Sequence, residues 1–263
     1  MIDLLLIPAL ILILITITNS LLGVFVLWKK LSYFGDGLSH SMLLGLVAGA
    51  IFDLNQLVVA VLFGLFFALL VAILAKIEYF SRDLIIAISS YFCIAVALIL
   101  SDVWGKNLNF NSYIFGDILT TNSQDLIALS LITLLAIIYT ALSFKKILLI
   151  NVNEDLARIE GINVDFWNFS FLILLSLTIA LSTKIVGVFL MTALLVLPAI
   201  IARNLSFGPL NMMLLSPIIG ILFAIISLIT SFYYNLSIAP AMIFCLGIAF
   251  IFSLLIKKLI TKY

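Results

Sequence analysis

The run LLLIPALILILITITNSLLGVFVLW, residues 4–28, contains no charged side chain. A helix of this length measures about 37 Å, and it therefore exceeds the ~30 Å hydrocarbon core of a bilayer. The run lacks the basic start and the small-residue cleavage site of a signal peptide, and it is too long for a signal-peptide core. It therefore predicts a membrane span that stays in the protein.

Similar apolar runs recur to the end of the chain, which is 65% hydrophobic and only 10% charged, against roughly half and a quarter in a soluble domain. Eight further spans are predicted, at residues 38–52, 56–75, 84–101, 125–144, 166–183, 186–202, 212–234 and 239–256. The second and seventh of the nine are short. The sequence thus predicts an all-α polytopic membrane protein with eight or nine transmembrane helices, in which residues 1–263 form a single transmembrane domain.

The distribution of lysine and arginine predicts the orientation of this domain. If all nine segments cross and the N-terminus is outside, only Lys106 and Lys184 lie on the outer side, and eleven basic residues lie on the inner side. Basic residues concentrate in cytoplasmic loops, so we expect the N-terminus outside and the C-terminus in the cytoplasm. The basic residues are scattered at the ends of apolar runs, which argues against a nucleic-acid partner.

Two ionisable residues, Asp36 and His40, lie where the second apolar segment begins, within SYFGDGLSHS at residues 32–41. Their spacing of four places them on one face of a helix. Ionisable groups in hydrocarbon are costly unless they are paired, hydrated or bound to something. A carboxylate and an imidazole form a plausible half-shell for a divalent metal ion. The alternative is that Asp36 caps the helix and His40 is hydrogen-bonded to it.

A stripe of small residues follows the neighbouring face of the same segment. Its members are Gly37, Ser41, Gly45 and Gly49, spaced four apart. Small residues at this spacing allow helix backbones to approach closely in a membrane. One face of this helix is therefore predicted to pack against another helix, and the next face can line a path.

The inner polar stretch at residues 151–161 carries the signals of a short helix. Asn153 can cap its start, Glu154 and Asp155 suit its first turn, and Gly161 can supply a left-handed stop. Two helical turns are too short to be stable alone. The helix should therefore rest on the membrane face of the chain itself or on a soluble partner.

Pro198 lies well inside the apolar run at residues 186–202, where it is predicted to kink or end a helix.

The sequence lacks the G-x-x-x-x-G-K-[ST] loop, the H-E-x-x-H helix and the nucleophile elbow. It offers no visible means of hydrolysing ATP or a peptide.

The stretch LWKKLSYFGDGLSHSMLLG, residues 27–45, resembles the signature of the permease subunits of bacterial ATP-driven zinc, manganese and iron importers. The zinc-uptake permeases are the most similar of these. Three further stretches agree in the same order along the chain: YIFGDIL at 113–119, DLARIEG at 155–161, and the Val-Gly and Leu-Pro-Ala strings at 186–187 and 197–199.

This resemblance implies a permease fold like that of type II ABC importers, in the bacterial cytoplasmic (inner) membrane and in contact with its lipid. It implies a homodimer on cytoplasmic ATP-binding subunits, supplied by an exported metal-binding protein. Asp36 and His40 then handle the transported metal, and no cofactor is permanently bound. Gly187 and Pro198 shape a broken or bent helix. The family's coupling helix then corresponds to Glu154, Asp155, Leu156, Ala157, Arg158, Ile159, Glu160 and Gly161.

One departure from the family pattern leaves the metal open. Zinc permeases of this type often carry a second histidine in the fourth segment, where this chain, aligned on Asp83, has Tyr91. One imidazole fewer weakens the preference for zinc over manganese or iron.

Two rival functions remain. The first is a secondary transporter or channel that uses Asp36 and His40 as a proton or cation site. The second is an intramembrane aspartyl protease that pairs Asp36 with Asp117, although Tyr33 stands where the G-x-G-D pattern needs glycine.

Overall fold

The computed structural model describes residues 2–74, 82–104, 114, 116, 118 and 121–260, and all regular secondary structure within these ranges is helical. Ten helices are present in this part of the chain: α1 Ile2–Trp28, α2 Phe34–Ile51, α3 Gln56–Leu74, α4 Arg82–Trp104, α5 Ser123–Val152, α6 Glu154–Ile159, α7 Val164–Val186, α8 Val188–Leu205, α9 Pro209–Tyr234 and α10 Ile238–Ile260.

Within the described ranges, every helix except α6 is long and apolar enough to cross a membrane, which confirms the nine predicted spans. The two segments predicted to be short, α2 and α8, each have 18 residues. At 1.5 Å per residue they measure about 27 Å, slightly less than the hydrocarbon core. The largest difference from the prediction is α5, which continues to Val152. A capping box between Asn122 and Asp125 fixes its start.

The helices form two compact units. One contains residues Leu31–Asp117 and Asn168–Met191, and α2 packs there against both α3 and α4. The contact between α2 and α3 depends on glycine, because a Cβ atom on Gly45 would lie 2.6 Å from the Cα of Ala60. A Cβ on Gly49 would lie 2.8 Å from the Cα of Gln56. The predicted small-residue stripe is therefore a helix-packing face.

The other unit contains Met1–Lys30, Ile118–Trp167 and Thr192–Tyr263, and within it α1 contacts α5 and α9. Hydroxyl groups join these helices. Thr18 and Thr133 share a hydrogen bond of 2.8 Å between their Oγ1 atoms, and the Ser216 hydroxyl donates to the backbone oxygen of Ser20 at 2.8 Å. Lipid tails are as apolar as leucine, so such polar contacts and close packing stabilise helix pairs in a membrane.

A glycine separates α7 from α8. Gly187 has φ +80° and its N–H donates to the Thr183 oxygen at 3.0 Å, which closes the end of α7. Gly116, with φ +71°, packs on this break, because its Cβ would lie 2.3 Å from the backbone carbon of Val186. Pro198, in contrast, lies inside α8, and the helix continues to Leu205. The helix break predicted for this region therefore occurs at Gly187.

We expect Gly45→Ala to lower the stability of the protein by about 1–3 kcal/mol, because the new methyl group meets backbone atoms that cannot rotate away. Gly247→Ala is the matched control, since a Cβ there meets no atom within 4 Å. The measurement is thermal unfolding of both purified variants in one detergent. Equal melting temperatures would contradict the packing described here.

Candidate functional site

The predicted ion-handling pair lies in the first two turns of α2. Tyr33, at the N-cap, makes no side-chain capping hydrogen bond, and Asp36 lies in the first helical turn. His40 Nε2 is 3.8 Å from Asp36 Oδ1, and their side chains are 16% and 46% exposed. An N–H···O hydrogen bond measures 2.7–3.2 Å. The alternative in which His40 simply hydrogen-bonds to Asp36 therefore does not match this geometry.

The other ring nitrogen of His40 has a partner that sequence reasoning missed. His40 Nδ1 lies 2.5 Å from Ser90 Oγ on α4, and Ser90 is only 4% exposed. Tyr91, the residue aligned with the family's second histidine, is 70% exposed. The available signal was the Ser89-Ser90 pair in an otherwise apolar segment. The fourth segment does contribute to the site, but through Ser90.

The helix face next to the pair is apolar. Gly37 packs so closely against the side chains of Phe67 and Ile86 that a Cβ atom would lie within 2.6–2.9 Å of them. The Phe34 ring lies 6.1 Å from the ring of Phe67, and both are buried. Apolar surroundings lower the local dielectric constant and strengthen the attraction between a carboxylate and a cation.

The described residues include no group of three or more His, Cys, Asp or Glu side chains that could hold a metal ion. Asp36 and His40 therefore offer two protein ligands of these types, and further ligands would be water, hydroxyl or backbone oxygens, or groups outside the described residues. Few ligands suit an ion that must leave again. Asp117, the protease candidate, lies outside the described residues, as do Tyr113, Phe115 and Leu119 of the family-like stretch.

The predicted cytoplasmic helix is present as α6, Glu154–Ile159, between α5 and α7. The Asn153 side chain accepts a hydrogen bond from the Leu156 N–H at 3.0 Å, as predicted for a cap. Glu160 is the C-cap, and Gly161, with φ +77°, provides the left-handed stop. The helix itself, Glu154–Ile159, is thus two residues shorter than the coupling helix predicted at residues 154–161.

One face of α6 rests on its own unit and another is open. Ala157 is buried in a cluster with Ile150 and Val164, which fixes α6 to α5 and α7. Ile159 is 80% exposed, and Leu156 is also exposed. The two contacts predicted for α6, with the chain itself and with a soluble partner, are therefore compatible. Ala157 packs against the chain itself, and the face with Leu156 and Ile159 is open to a partner.

Charged residues surround α6. The Arg158 guanidinium donates from Nη2 to Glu154 Oε1 at 2.9 Å, and its Nη1 is 3.8 Å from Asp165 Oδ2. These carboxylates raise the pKa of Arg158 further above its usual value.

Burial lowers the pKa of Lys29, just after α1, to about 8, although the Glu154 charge partly opposes this shift.

We expect Lys29→Met to raise the melting temperature at pH 7, because burying the charged amine costs stability there. Between about pH 8 and 10.5 the folded chain binds fewer protons than the unfolded chain, so wild-type stability rises with pH. The difference in melting temperature between Lys29→Met and the wild type should therefore be smaller at pH 9.5 than at pH 7. Lys30→Met, at the exposed neighbouring position, is the control. A pH-independent advantage would contradict the burial of a charged Lys29.

The nine long apolar helices of the described ranges define an integral membrane protein, and one of them has an ionisable pair near its start. Residues 1–257 match the model of the ABC 3 transport family. The chain belongs to this family.

Individual relatives agree with this assignment. The high-affinity zinc uptake system membrane protein ZnuB of Haemophilus influenzae is 33% identical over 243 residues, covering 92% of this chain and 93% of that protein. The manganese transport system membrane protein MntC of Listeria monocytogenes is 27% identical over 239 residues, covering 91% and 85%. The solved structure of PsaBC from Streptococcus pneumoniae in complex with Fab is similar in fold, with a TM-score of 0.85 at 24% identity, covering 95% of this chain and 90% of that chain.

Proposed function

We propose that this chain is the permease subunit of an ATP-driven importer that carries zinc across the bacterial inner membrane into the cytoplasm. The observation that carries the proposal is the 33% identity to a zinc uptake membrane protein over nearly the full length of both chains. Manganese is the competing substrate, because manganese transport proteins are also similar to this chain, at 26–27% identity. Iron is the third candidate.

Asp36 and His40 are the residues that we assign to the transported ion. Two ligands of one tetrahedral zinc ion are about 3.4 Å apart. The 3.8 Å between Nε2 and Oδ1 therefore needs to close by only a few tenths of an ångström. With the N-terminus outside, as the basic residues favour, the start of α2 lies near the cytoplasmic side. The pair would then act close to the point of release.

ATP hydrolysis belongs, in this proposal, to a separate cytoplasmic subunit that contacts α6. The exposed Ile159 and Leu156 offer an apolar contact, and the Ala157 cluster transmits any displacement of α6 to α5 and α7. The working assembly is a homodimer of this chain with its ATP-binding subunits, embedded in lipid and supplied from outside by a metal-binding protein. Residues 1–263 act as one permease domain, with Gly187 and Pro198 as positions where α7 and α8 can bend.

Asp36→Ala and His40→Ala should each reduce zinc accumulation by more than about tenfold, because each removes one of two protein ligands. The measurement is zinc content of cells whose only high-affinity importer contains the variant. Manganese and iron are measured in parallel, which identifies the substrate. Membrane abundance and co-purification with the ATP-binding subunit should not change. Normal zinc accumulation in both variants would refute the assigned site.

Reconstitution separates this function from the rival secondary transporter. The purified chain alone in liposomes should pass no zinc, whereas liposomes that contain the complete assembly should accumulate zinc only with ATP. Zinc flux through the isolated chain, driven by an ion gradient and independent of ATP, would support the rival function.

Ile159→Glu should abolish ATP-dependent transport and weaken co-purification with the ATP-binding subunit, because it places a charge on the exposed apolar face of α6. Leu236→Glu is the matched control. Leu236 is exposed and apolar like Ile159, but it lies in the loop after α9, on the side that the proposed topology places outside. Co-purification is scored at equal membrane abundance. Equal loss in both variants, or in neither, would contradict the role of α6.

A further inference from the structure

We propose that Ser90 is a positioning residue that keeps the proton of His40 on Nδ1, so that Nε2 is the atom that binds the transported ion. This inference rests on the proposed function and adds a residue and a specific ring nitrogen to it. It starts from the different surroundings of the two nitrogens. Nδ1 contacts Ser90 Oγ at 2.5 Å, and Nε2 faces Asp36 Oδ1 at 3.8 Å.

A neutral imidazole carries its proton on one ring nitrogen and presents a lone pair on the other. If Nε2 carried the proton, the Asp36 carboxylate would accept it in a charge-assisted hydrogen bond of about 2.7–2.9 Å. The observed 3.8 Å exceeds that distance by almost an ångström. It is close to the separation of two ligands on one ion, about 3.4 Å. The geometry therefore fits a lone pair on Nε2 and a proton on Nδ1.

Ser90 is well placed to fix this arrangement. Its side chain is short and buried, and it projects from α4, which packs directly on α2. Leu44 and Val47 of α2 share a buried cluster with Ala97 of α4, two turns beyond Ser90, so the two helices are fixed in register. A serine hydroxyl can accept a hydrogen bond from Nδ1–H and still donate its own hydrogen elsewhere. The imidazole ring is thus oriented by a partner on its far side from Asp36.

A neutral hydroxyl such as that of Ser90 is a suitable hydrogen-bond partner for a histidine that binds a transported ion. Histidines that ligate metals almost always donate the other ring N–H to a neighbouring group, and a carboxylate in that place makes the ligand more basic. A neutral hydroxyl orients the ring without that added basicity. Binding through Nε2 is then specific in geometry but moderate in strength, as an ion that must be released requires.

The single histidine of the chain makes the inference directly measurable. The full chain is labelled with ¹⁵N-histidine, purified through a tag without histidine, and studied in lipid by solid-state NMR at neutral pH. We expect one protonated resonance, assigned to Nδ1, and one unprotonated resonance, assigned to Nε2. Added Zn²⁺ should shift Nε2 more than Nδ1. A protonated Nε2, or a larger Zn²⁺ shift at Nδ1, would overturn the proposal.

Variants test the role of the hydroxyl. Ser90→Ala should give a mixture of both tautomers and raise the zinc concentration for half-maximal uptake by about 10–100-fold, the usual cost of losing an orienting partner. Ser90→Thr keeps the hydroxyl and should restore the Nδ1-protonated spectrum. Ser89→Ala makes the same chemical change one residue earlier and should behave as wild type. Wild-type spectra and uptake in Ser90→Ala would refute the role.

The failures of this inference and of the proposed function are distinguishable. If wild-type cells import zinc but the spectrum shows a proton on Nε2, only the role of Ser90 fails. If the complete wild-type assembly carries no zinc, manganese or iron, the proposed function fails whatever the tautomer. If Ser90→Ala does not fold, the wild-type tautomer and the Zn²⁺ shifts still decide the question.

Discussion

The absence of water from the bilayer core governs this structure. Every backbone N–H and C=O in that region must find a partner within the protein, so the spanning segments are helices. Association of these helices gains little from hydrophobic burial, because lipid is equally apolar. Close approach then becomes decisive, and glycine permits it: a Cβ on Gly23 would lie 1.8 Å from the backbone oxygen of Leu195, and a Cβ on Gly45 would lie 2.6 Å from the Cα of Ala60 on α3. Hydrogen bonds made by hydroxyl groups, between Thr18 and Thr133 and from Ser216 to the backbone oxygen of Ser20, add directional contacts to this packing.

The same constraint explains where ionisable residues are tolerated. Among the candidate spans in the described ranges, α2 has the lowest mean hydropathy and the largest buried share. Its neighbours α3 and α4 are far more exposed, as expected for helices that face lipid. Within this helix His40 is largely covered by protein, whereas the Asp36 side chain keeps 46% of its surface open. A polar helix packed against apolar ones can thus present a carboxylate to a cation while the imidazole beside it is held by protein.

The sequence allowed much of this to be predicted, for identifiable reasons. Spans depend on the length of apolar runs, and the ends of α6 depend on Asn153 and Gly161, whose roles are local. The pairing of His40 with Ser90 depends instead on the rotation of α4 relative to α2. Ser89 and Ser90 differ by about 100° around their helix, and the sequence does not say which one faces inward. The sequence also left open whether Pro198 kinks or ends its helix, because it does not reveal whether neighbouring groups compensate for the lost hydrogen bond; the helix in fact continues to Leu205.

The contact between Gly116 and the α7–α8 break joins main chain to main chain. Side chains can change rotamer and so absorb a small displacement between two segments, but peptide groups this close have no such freedom. The peptide at Gly187 therefore has no room to move toward residue 116 unless residue 116 moves as well, and a side chain at position 116 would push directly on the junction of two membrane helices.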